Sequence, residues 1–265
     1  ADIAHGAALR RPCRVHAGGY ADFADCGLVI LAAGTNQRPV ETREALLGRN
    51  RAILQSILEQ LTAVNRDAVL LVVSNPVDVL TGYTLELSGF PAERVIGSGT
   101  VLDTARIKCL LGEKLGVDSR NVHAFMLGEH GDSEVAVWSS ANISGADLDD
   151  FCLAAGIDDP ESMLASLARE VTHAAYDIIE RKGATCYGIA MAVRRIAEAI
   201  IRDEHAVLPV STLARGAYGI EGVCLGLPAV VGRSGVSQVL DLPLSRDETE
   251  RLLASAHKLK TLMEG

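Results

Sequence analysis

Short apolar runs that alternate with helix-like segments constrain the fold of this chain more than any other feature. The runs have few polar residues inside them, as strands do when both faces of a sheet are covered. They are CRVHAG (13–18), GLVILAAG (27–34), VLLVVS (69–74) and RVIG (94–97). Helical periodicity follows at about 42–64, at 77–88 and from about residue 102. This alternation predicts an α/β fold built on a doubly wound parallel sheet.

The second half of the chain has a different pattern. Two long helical segments, about 159–181 and 185–203, precede the strand-like segments AVLPVST, GVCLGLPAVVG and GVSQVL at hairpin spacing. The last helix is expected to begin at Ser245, which forms a capping box with Glu248. We therefore predict an α/β domain at 1–97, followed by an α+β domain at 98–265.

Composition excludes several classes of partner. Apolar residues make up 48% and charged residues 22% of the chain, as in folded globular proteins. The net charge of −9 disfavours nucleic acid and anionic membrane surfaces, since neither attracts an acidic protein. The apolar runs are shorter than a membrane span requires, and the N-terminal residues lack the pattern of a secretory signal. Six scattered cysteines without a CxxC pair favour reduced thiols in a cytoplasmic protein.

Polar loops follow the predicted strands at the sheet edge where α/β proteins bind ligands. AAGTNQRPVETR, SNPVD and GSGTVLDTAR carry groups suited to a small anion, and Asp103 and Arg106 share one helix face. A further segment, LGEHGDS (127–133), places an imidazole, two carboxylates and a hydroxyl within seven residues. Alone, this segment is compatible with half a metal site, an acid/base centre or a polar turn.

Five segments together resemble the lactate/malate dehydrogenase family, in particular its NAD-dependent L-lactate dehydrogenases. AAGTNQRPVETR, SNPVDVL, GSGTVLDTAR, LGEHGDSE and ERKGATCYGIA occur in the family's order and at about its spacing, over essentially the whole chain. The resemblance implies a Rossmann-type dinucleotide-binding domain followed by a substrate domain, with NAD as cofactor. It also implies interconversion of pyruvate and L-lactate and assembly into a homotetramer.

The resemblance implies three catalytic residues. His130 matches the acid/base, a role suited to an imidazole that titrates near neutral pH. Asp103 matches the carboxylate that orients this imidazole, so we expect the partner of His130 to be Asp103 rather than the neighbouring Glu129 or Asp132. Arg43 matches the mobile-loop arginine that polarises the reacting carbonyl and contacts the substrate.

Four further residues match substrate-binding positions of the family. Arg106 matches the arginine that holds the substrate carboxylate through a planar fork, and Asn75 and Thr185 match pocket residues. Gln37 matches the position that is glutamine in lactate enzymes and arginine in malate enzymes. A neutral glutamine leaves room for a methyl group, whereas arginine pairs with a second carboxylate. The neighbouring Arg38 takes that position if the register slips by one residue.

Cofactor and effector positions carry over in the same way. Lys108 and His123 match the fructose 1,6-bisphosphate positions of allosteric bacterial relatives, where arginine is more usual at the position of Lys108. The pattern around His123 fits a half-buried strand residue about as well. Lysine keeps the charge but not the phosphate fork, which predicts a weaker or altered response. The residues matched to NAD binding are Tyr20, Gly34, Thr35, Ser56, Val73, Asn75 and Ser98.

One family motif is not found in this sequence. The G-x-G-x-x-G turn for the pyrophosphate, and the acidic residue about twenty positions later, have no counterpart here. We therefore expect the dinucleotide-binding domain to be N-terminally truncated and the sheet incomplete. The leading hypothesis is an L-lactate dehydrogenase. The alternatives are a malate or other L-2-hydroxy-acid dehydrogenase and a non-catalytic fragment that only binds or assembles.

Overall fold

A parallel sheet forms the first half of the molecule. The computed structural model describes residue 5 and residues 13–35 and 43–264. Three strands lie side by side and parallel: β1 (Leu28–Leu31), β2 (Val69–Val72) and β3 (Val95–Gly97). Helices α1 (Arg43–Thr62) and α2 (Val77–Ser88) connect them. This arrangement confirms the predicted α/β fold and places the residues that directly follow the three strands at one edge of the sheet.

The middle of the chain forms a small antiparallel sheet covered by helices. Helix α3 (Val101–Leu115) leads into this sheet, whose strands are ordered β4-β5-β6. The strands are β4 (Val122–Leu127), β5 (Val135–Ile143) and β6 (Ala146–Asp147). The helices that follow are α4 (Leu148–Ala154), α5 (Pro160–Lys182) and α6 (Tyr187–Ile201).

The last strands return to the first sheet. Strand β7 (Ala206–Arg215) pairs antiparallel with β3 through Ser211 and Gly97, and β8 (Glu221–Gly232) and β9 (Gly235–Val239) continue outward. The six strands have the order β1-β2-β3-β7-β8-β9. The segments on either side of residue 97 therefore share one sheet.

The chain ends in helix α7 (Arg246–Glu264). As predicted, a capping box begins it: the Glu248 carboxylate accepts from the backbone N–H of Ser245 at 2.8 Å, and the Ser245 hydroxyl accepts from that of Glu248 at 3.2 Å. No helix in the described part of the chain combines the length and the apolarity needed to cross a lipid bilayer.

The prediction of a strand at CRVHAG (13–18) is wrong. Residues 13–19 have no regular secondary structure and are exposed to solvent. An apolar run forms a strand only where another strand can accept its backbone hydrogen bonds, and this segment pairs with no described strand. Strand β1 is accordingly the edge of the described sheet, and its Ile30 side chain is 44% exposed.

The core explains why the helices lie where they do. All four residues of β2 are buried, because the sheet is covered on both faces there. On one face, Leu54, Leu58 and Leu61 of α1 recur at helical spacing and are each 1% exposed. On the other face, Ile196 of α6 packs in a separate buried cluster with Leu71. The sheet is thus packed against helices on both faces.

Candidate active site

A cleft opens at the carboxyl ends of β1, β2 and β3. Its volume is about 440 Å³. Eight of the residues matched from the sequence line it, alongside apolar residues of α3, α5 and α6. Those eight are Gly34, Thr35, Val73, Asn75, Ser98, Arg106, His130 and Thr185. The tertiary structure therefore brings together positions up to 151 residues apart in the chain (from Gly34 to Thr185).

His130 reaches the cleft on a turn that only glycine can begin. Strand β4 ends at Leu127, and Gly128 follows with φ of +94°, a backbone region that disfavours side chains. A Cβ at this position would lie 2.8 Å from the Ser255 hydroxyl oxygen. Two backbone hydrogen bonds of 2.9 and 2.8 Å between Gly128 and Gly226 hold the turn against strand β8.

Asp103 is the side-chain partner of the imidazole. It lies in the first turn of α3, where a helix favours a carboxylate, and its side chain is 3% exposed. Its Oδ2 is 2.6 Å from His130 Nδ1, and its Oδ1 accepts from Arg106 Nη1 at 2.8 Å. One buried carboxylate therefore orients both the imidazole and the guanidinium, and Nε2 is the imidazole nitrogen that Asp103 does not engage.

The charges of this group reinforce one another. Burial acts to raise the pKa of Asp103, but the His130 and Arg106 cations outweigh it and hold that pKa below its usual range. For His130 burial acts to lower the pKa, but the Asp103 carboxylate raises it to about 9, with smaller contributions from Asp78 and Glu134. The imidazole is therefore protonated at neutral pH, in the form that can give up a proton.

Asp78 stabilises the turn that carries His130. It lies in the first turn of α2, is 2% exposed, and its Oδ2 accepts from the backbone N–H of His130 at 2.7 Å. Burial raises the pKa of this carboxyl to about 6. The sequence pattern grouped Asp78 with residues suited to a small anion, whereas the structure turns it towards the backbone of another loop.

Glu134 is a residue of this site whose role the sequence motifs do not reveal. Its side chain is buried, and it approaches Asp103 and His130 so that one polar atom of each lies within 4.8 Å of the others. Thr172 of α5 donates a hydrogen bond of 2.9 Å to its Oε1. Glu134 is the last residue of the segment LGEHGDSE. The burial of its side chain, however, depends on helix α5, which is distant in sequence.

The other two acids near His130 have different partners. Glu129 is bonded to Lys258 of α7 at 2.5 Å, and the Ser133 hydroxyl donates to the same oxygen. Asp132 accepts from the hydroxyl of Tyr176 at 2.9 Å. These bonds fasten the turn to helices α7 and α5, so its neighbouring acids anchor it while Asp103 contacts the imidazole.

The geometry favours acid/base chemistry over metal binding. Asp103, His130 and Glu134 are close enough in principle to share a cation. However, two ligands of one tetrahedral zinc ion lie about 3.3 Å apart. The 2.6 Å between Asp103 Oδ2 and His130 Nδ1 is instead the length of a charge-assisted hydrogen bond with a proton between the two atoms.

Several residues matched to family positions lie away from the cleft or outside the described part of the chain. The Tyr20 ring packs against that of Phe23 at a tilt of 53°, with centroids 5.9 Å apart, and Ser56 is exposed on α1. Lys108 is half-buried on α3 and His123 is exposed on β4; neither lines the cleft. Gln37 and Arg38 lie outside the described residues, as does the side chain of Arg43. The roles of all these residues stay predictions.

Comparison with known proteins agrees with this geometry. Residues 1–97 match the family model described as lactate/malate dehydrogenase, NAD binding domain, and residues 100–265 match that of its alpha/beta C-terminal domain. The chain is 49% identical to an L-lactate dehydrogenase of Clostridium perfringens over 98% of its own length and 82% of the relative. One of Streptococcus sanguinis is also 49% identical, over 99% and 80% of the two chains.

A solved structure extends the likeness to three dimensions. The lactate dehydrogenase MGS-M5, from a Medee basin deep-sea metagenome library, superimposes with a TM-score of 0.95 at 42% identity, over 99% of this chain and 84% of the other. Sequence, fold and site geometry therefore agree, and the chain belongs to the lactate/malate dehydrogenase family.

Proposed function

We propose that the protein is an NAD-dependent L-lactate dehydrogenase, which interconverts pyruvate and L-lactate with His130 as acid/base. The observation that carries this proposal is the shared contact of Asp103 with His130 and Arg106 beside the cleft. A proton donor and a carboxylate-binding cation held by one buried anion are what reduction of a 2-oxo acid needs.

The lining of the cleft suits the nicotinamide end of NAD. The Thr35 hydroxyl and the Asn75 amide offer hydrogen bonds for ribose and carboxamide groups, while Val73, Leu102 and Ile189 offer apolar surface for a ring. We assign Gly34, Val73 and Ser98 to the same end of the cofactor, and Tyr20 and Ser56 to parts beyond the cleft. When bound, NADH supplies the hydride.

His130 and Arg106 handle the rest of the reaction. The Arg106 guanidinium binds the substrate carboxylate, and the protonated His130 gives its Nε2 proton to the ketone oxygen as that oxygen gains charge. Asp103 stabilises the imidazolium before transfer and keeps Nδ1 oriented afterwards. Lactate oxidation runs the same steps in reverse from neutral His130. We assign polarisation of the carbonyl to Arg43 and pocket contacts to Asn75 and Thr185.

Substrate choice depends on Gln37 in this proposal. Because a neutral amide does not pair with a second carboxylate, we expect kcat/KM for pyruvate to exceed that for oxaloacetate by about 100-fold, and Gln37→Arg to reverse this preference. Initial rates of NADH oxidation with each substrate measure both effects. Faster turnover of oxaloacetate by the wild type would support a malate dehydrogenase, and turnover of neither by a folded protein would support a non-catalytic subunit.

An effector site at Lys108 and His123 is a separate part of the proposal. Burial lowers the pKa of Lys108, and lysine cannot form the paired hydrogen bonds that arginine forms with phosphate. We expect fructose 1,6-bisphosphate to activate pyruvate reduction weakly and Lys108→Arg to strengthen that activation. Rates titrated with the bisphosphate test this expectation. If the curves for the wild type and Lys108→Arg are both flat, no effector site exists here.

We also propose a homotetramer in the cytoplasm. Three large apolar side chains on α6 are exposed, a pattern that favours burial against another subunit. They are Tyr187 (78% exposed), Met191 (59%) and Ile201 (66%). All six cysteines are free thiols, which supports a reducing compartment.

A further inference from the structure

We propose that Glu134 is a second acidic partner of His130, a positioning residue that holds the imidazole in its protonated form and thereby moves both pyruvate reduction and lactate oxidation to a higher pH range. The inference rests on the proposed function, because it concerns the proton that His130 transfers. Glu134 acts through His130 and contacts no reacting atom in this proposal.

The position of Glu134 is fixed from two sides. Its backbone N–H donates to the carbonyl of Gly131 at 3.1 Å, which closes the turn directly before strand β5. Its carboxylate is held by the Thr172 hydroxyl at 2.9 Å. With the residue 6% exposed, the carboxyl has little water to screen it from the imidazole, and their polar atoms lie within 4.8 Å of each other.

Charged groups from several elements face this pair. Asp103 and Arg106 reach it from α3, and Asp78 reaches His130 from α2. Burial raises the pKa of Glu134 to about 8, and the Asp103 carboxylate acts in the same direction. The Thr172 hydrogen bond and the His130 and Arg106 cations oppose that rise. Glu134 therefore ionises within the pH range in which His130 still carries its proton.

The direction of the effect follows from charge. As the pH rises, Glu134 loses its proton, and the resulting carboxylate stabilises the imidazolium against neutral imidazole. Reduction needs the imidazolium, so it should persist to higher pH. Oxidation needs neutral imidazole, so its onset should move to higher pH as well. A residue with a purely structural role would change the rates by one factor at every pH and would not move either pH limb.

Replacing Glu134 by glutamine tests this inference. Glu134→Gln keeps an oxygen for the Thr172 hydroxyl but cannot become charged. We expect the alkaline limb of kcat/KM for pyruvate and the acid limb of kcat/KM for lactate to move together by about 1 pH unit towards acid. On the alkaline limb this corresponds to a roughly tenfold loss of the protonated imidazole, and on the acid limb to a roughly tenfold gain of the neutral imidazole.

Three companion variants separate charge from packing. Thr172→Val removes the hydroxyl that favours ionised Glu134, so it should move both limbs in the same direction by less. Glu134→Asp keeps the charge, so its two pH limbs should lie between those of Glu134→Gln and those of the wild type. Glu170→Gln, on the exposed face of α5, is the matched control and should move neither limb. Thermal unfolding identifies any variant that fails to fold, and Thr172→Val then carries the test.

A readout without turnover keeps the inference distinct from the proposed function. NMR titration of the His130 imidazole, assigned by its loss in His130→Asn, should show a lower pKa in Glu134→Gln than in the wild type. An unchanged imidazole titration, with pH limbs that do not move, overturns the inference even if pyruvate is turned over. A wild type that does not turn over pyruvate contradicts the proposed function, while the titration still decides the role of Glu134.

Discussion

Replacing His130 by asparagine should lower kcat for pyruvate reduction by about 10³-fold, within the range that general acid catalysis contributes. Asparagine retains a polar group of similar size beside Asp103 but has no proton to give to the ketone oxygen. Because the proposed mechanism places His130 against the substrate and assigns other residues to the cofactor, NADH binding should change by less than about threefold. Steady-state rates and fluorescence titration with NADH measure the two quantities.

The pH profile makes this test specific to His130. In the wild type, pyruvate reduction should decline as the pH rises through about 9, where the imidazolium loses its proton. The residual activity of His130→Asn should lack that limb. His173→Asn is the matched control, since His173 is an exposed histidine of α5. Retention of more than a tenth of wild-type kcat in His130→Asn would remove His130 from the mechanism.

Replacing Asp103 by asparagine should have the second-largest effect. We expect kcat/KM for pyruvate to fall by about 10²- to 10³-fold, since the change disturbs two functional groups together. The imidazole loses the anion that raises its pKa, so less of it is protonated at neutral pH. Arg106 loses the charged partner 2.8 Å from its Nη1, so the substrate carboxylate meets a less ordered guanidinium.

The pH dependence distinguishes Asp103 from Glu134. Both replacements should move the alkaline limb of reduction towards acid, but Asp103→Asn should move it further, because Asp103 makes the largest favourable contribution to the His130 pKa. It should also raise KM for pyruvate through Arg106, which Glu134→Gln should leave unchanged. Asp149→Asn, on exposed α4, is the control for removing a carboxylate. An unchanged alkaline limb of pyruvate reduction in Asp103→Asn would contradict the pairing of Asp103 with His130.

The His130 and Asp103 pKa shifts also bear on stability. The pKa of His130 is raised above its ordinary 6.5, so its contribution is complete below that pH and is lost as the pH rises through about 9. The pKa of Asp103 is lowered, so its contribution is present above its ordinary pKa of 3.8 and is lost in acid as the pH falls through the lowered value. The His130–Asp103 pair therefore contributes most to stability between the two ordinary pKa values, where both groups are charged.

Much of the fold was predictable because local patterns matched the tertiary structure. The helices predicted at about 42–64 and at 77–88 occur at Arg43–Thr62 and Val77–Ser88, where apolar spacing and flanking polar loops agree. The strand expected at 13–18 failed because periodicity does not show whether a neighbouring strand exists. The antiparallel join between β3 and β7 was not predicted either, since pairing across more than a hundred residues leaves no local trace.

The candidate site was predictable to the extent that its chemistry is written in ordered motifs. Asp103 and His130 could be paired because two motifs at a fixed spacing resemble those of one family. Asp78 and Glu134 could not be assigned to the imidazole in the same way. Their role depends on burial and on which atom each carboxylate faces, and both depend on helices that fold over them.

By itself, the sequence determined the kinds of element, the order of the motifs, and the residues able to donate a proton or bind a carboxylate. The tertiary structure alone decided the other surroundings of the imidazole in LGEHGDS. It shows Asp78 on the backbone N–H of His130, Glu134 buried nearby, and Glu129 paired with Lys258. The physical reason is that a pKa depends on distance and desolvation, which residue order does not specify.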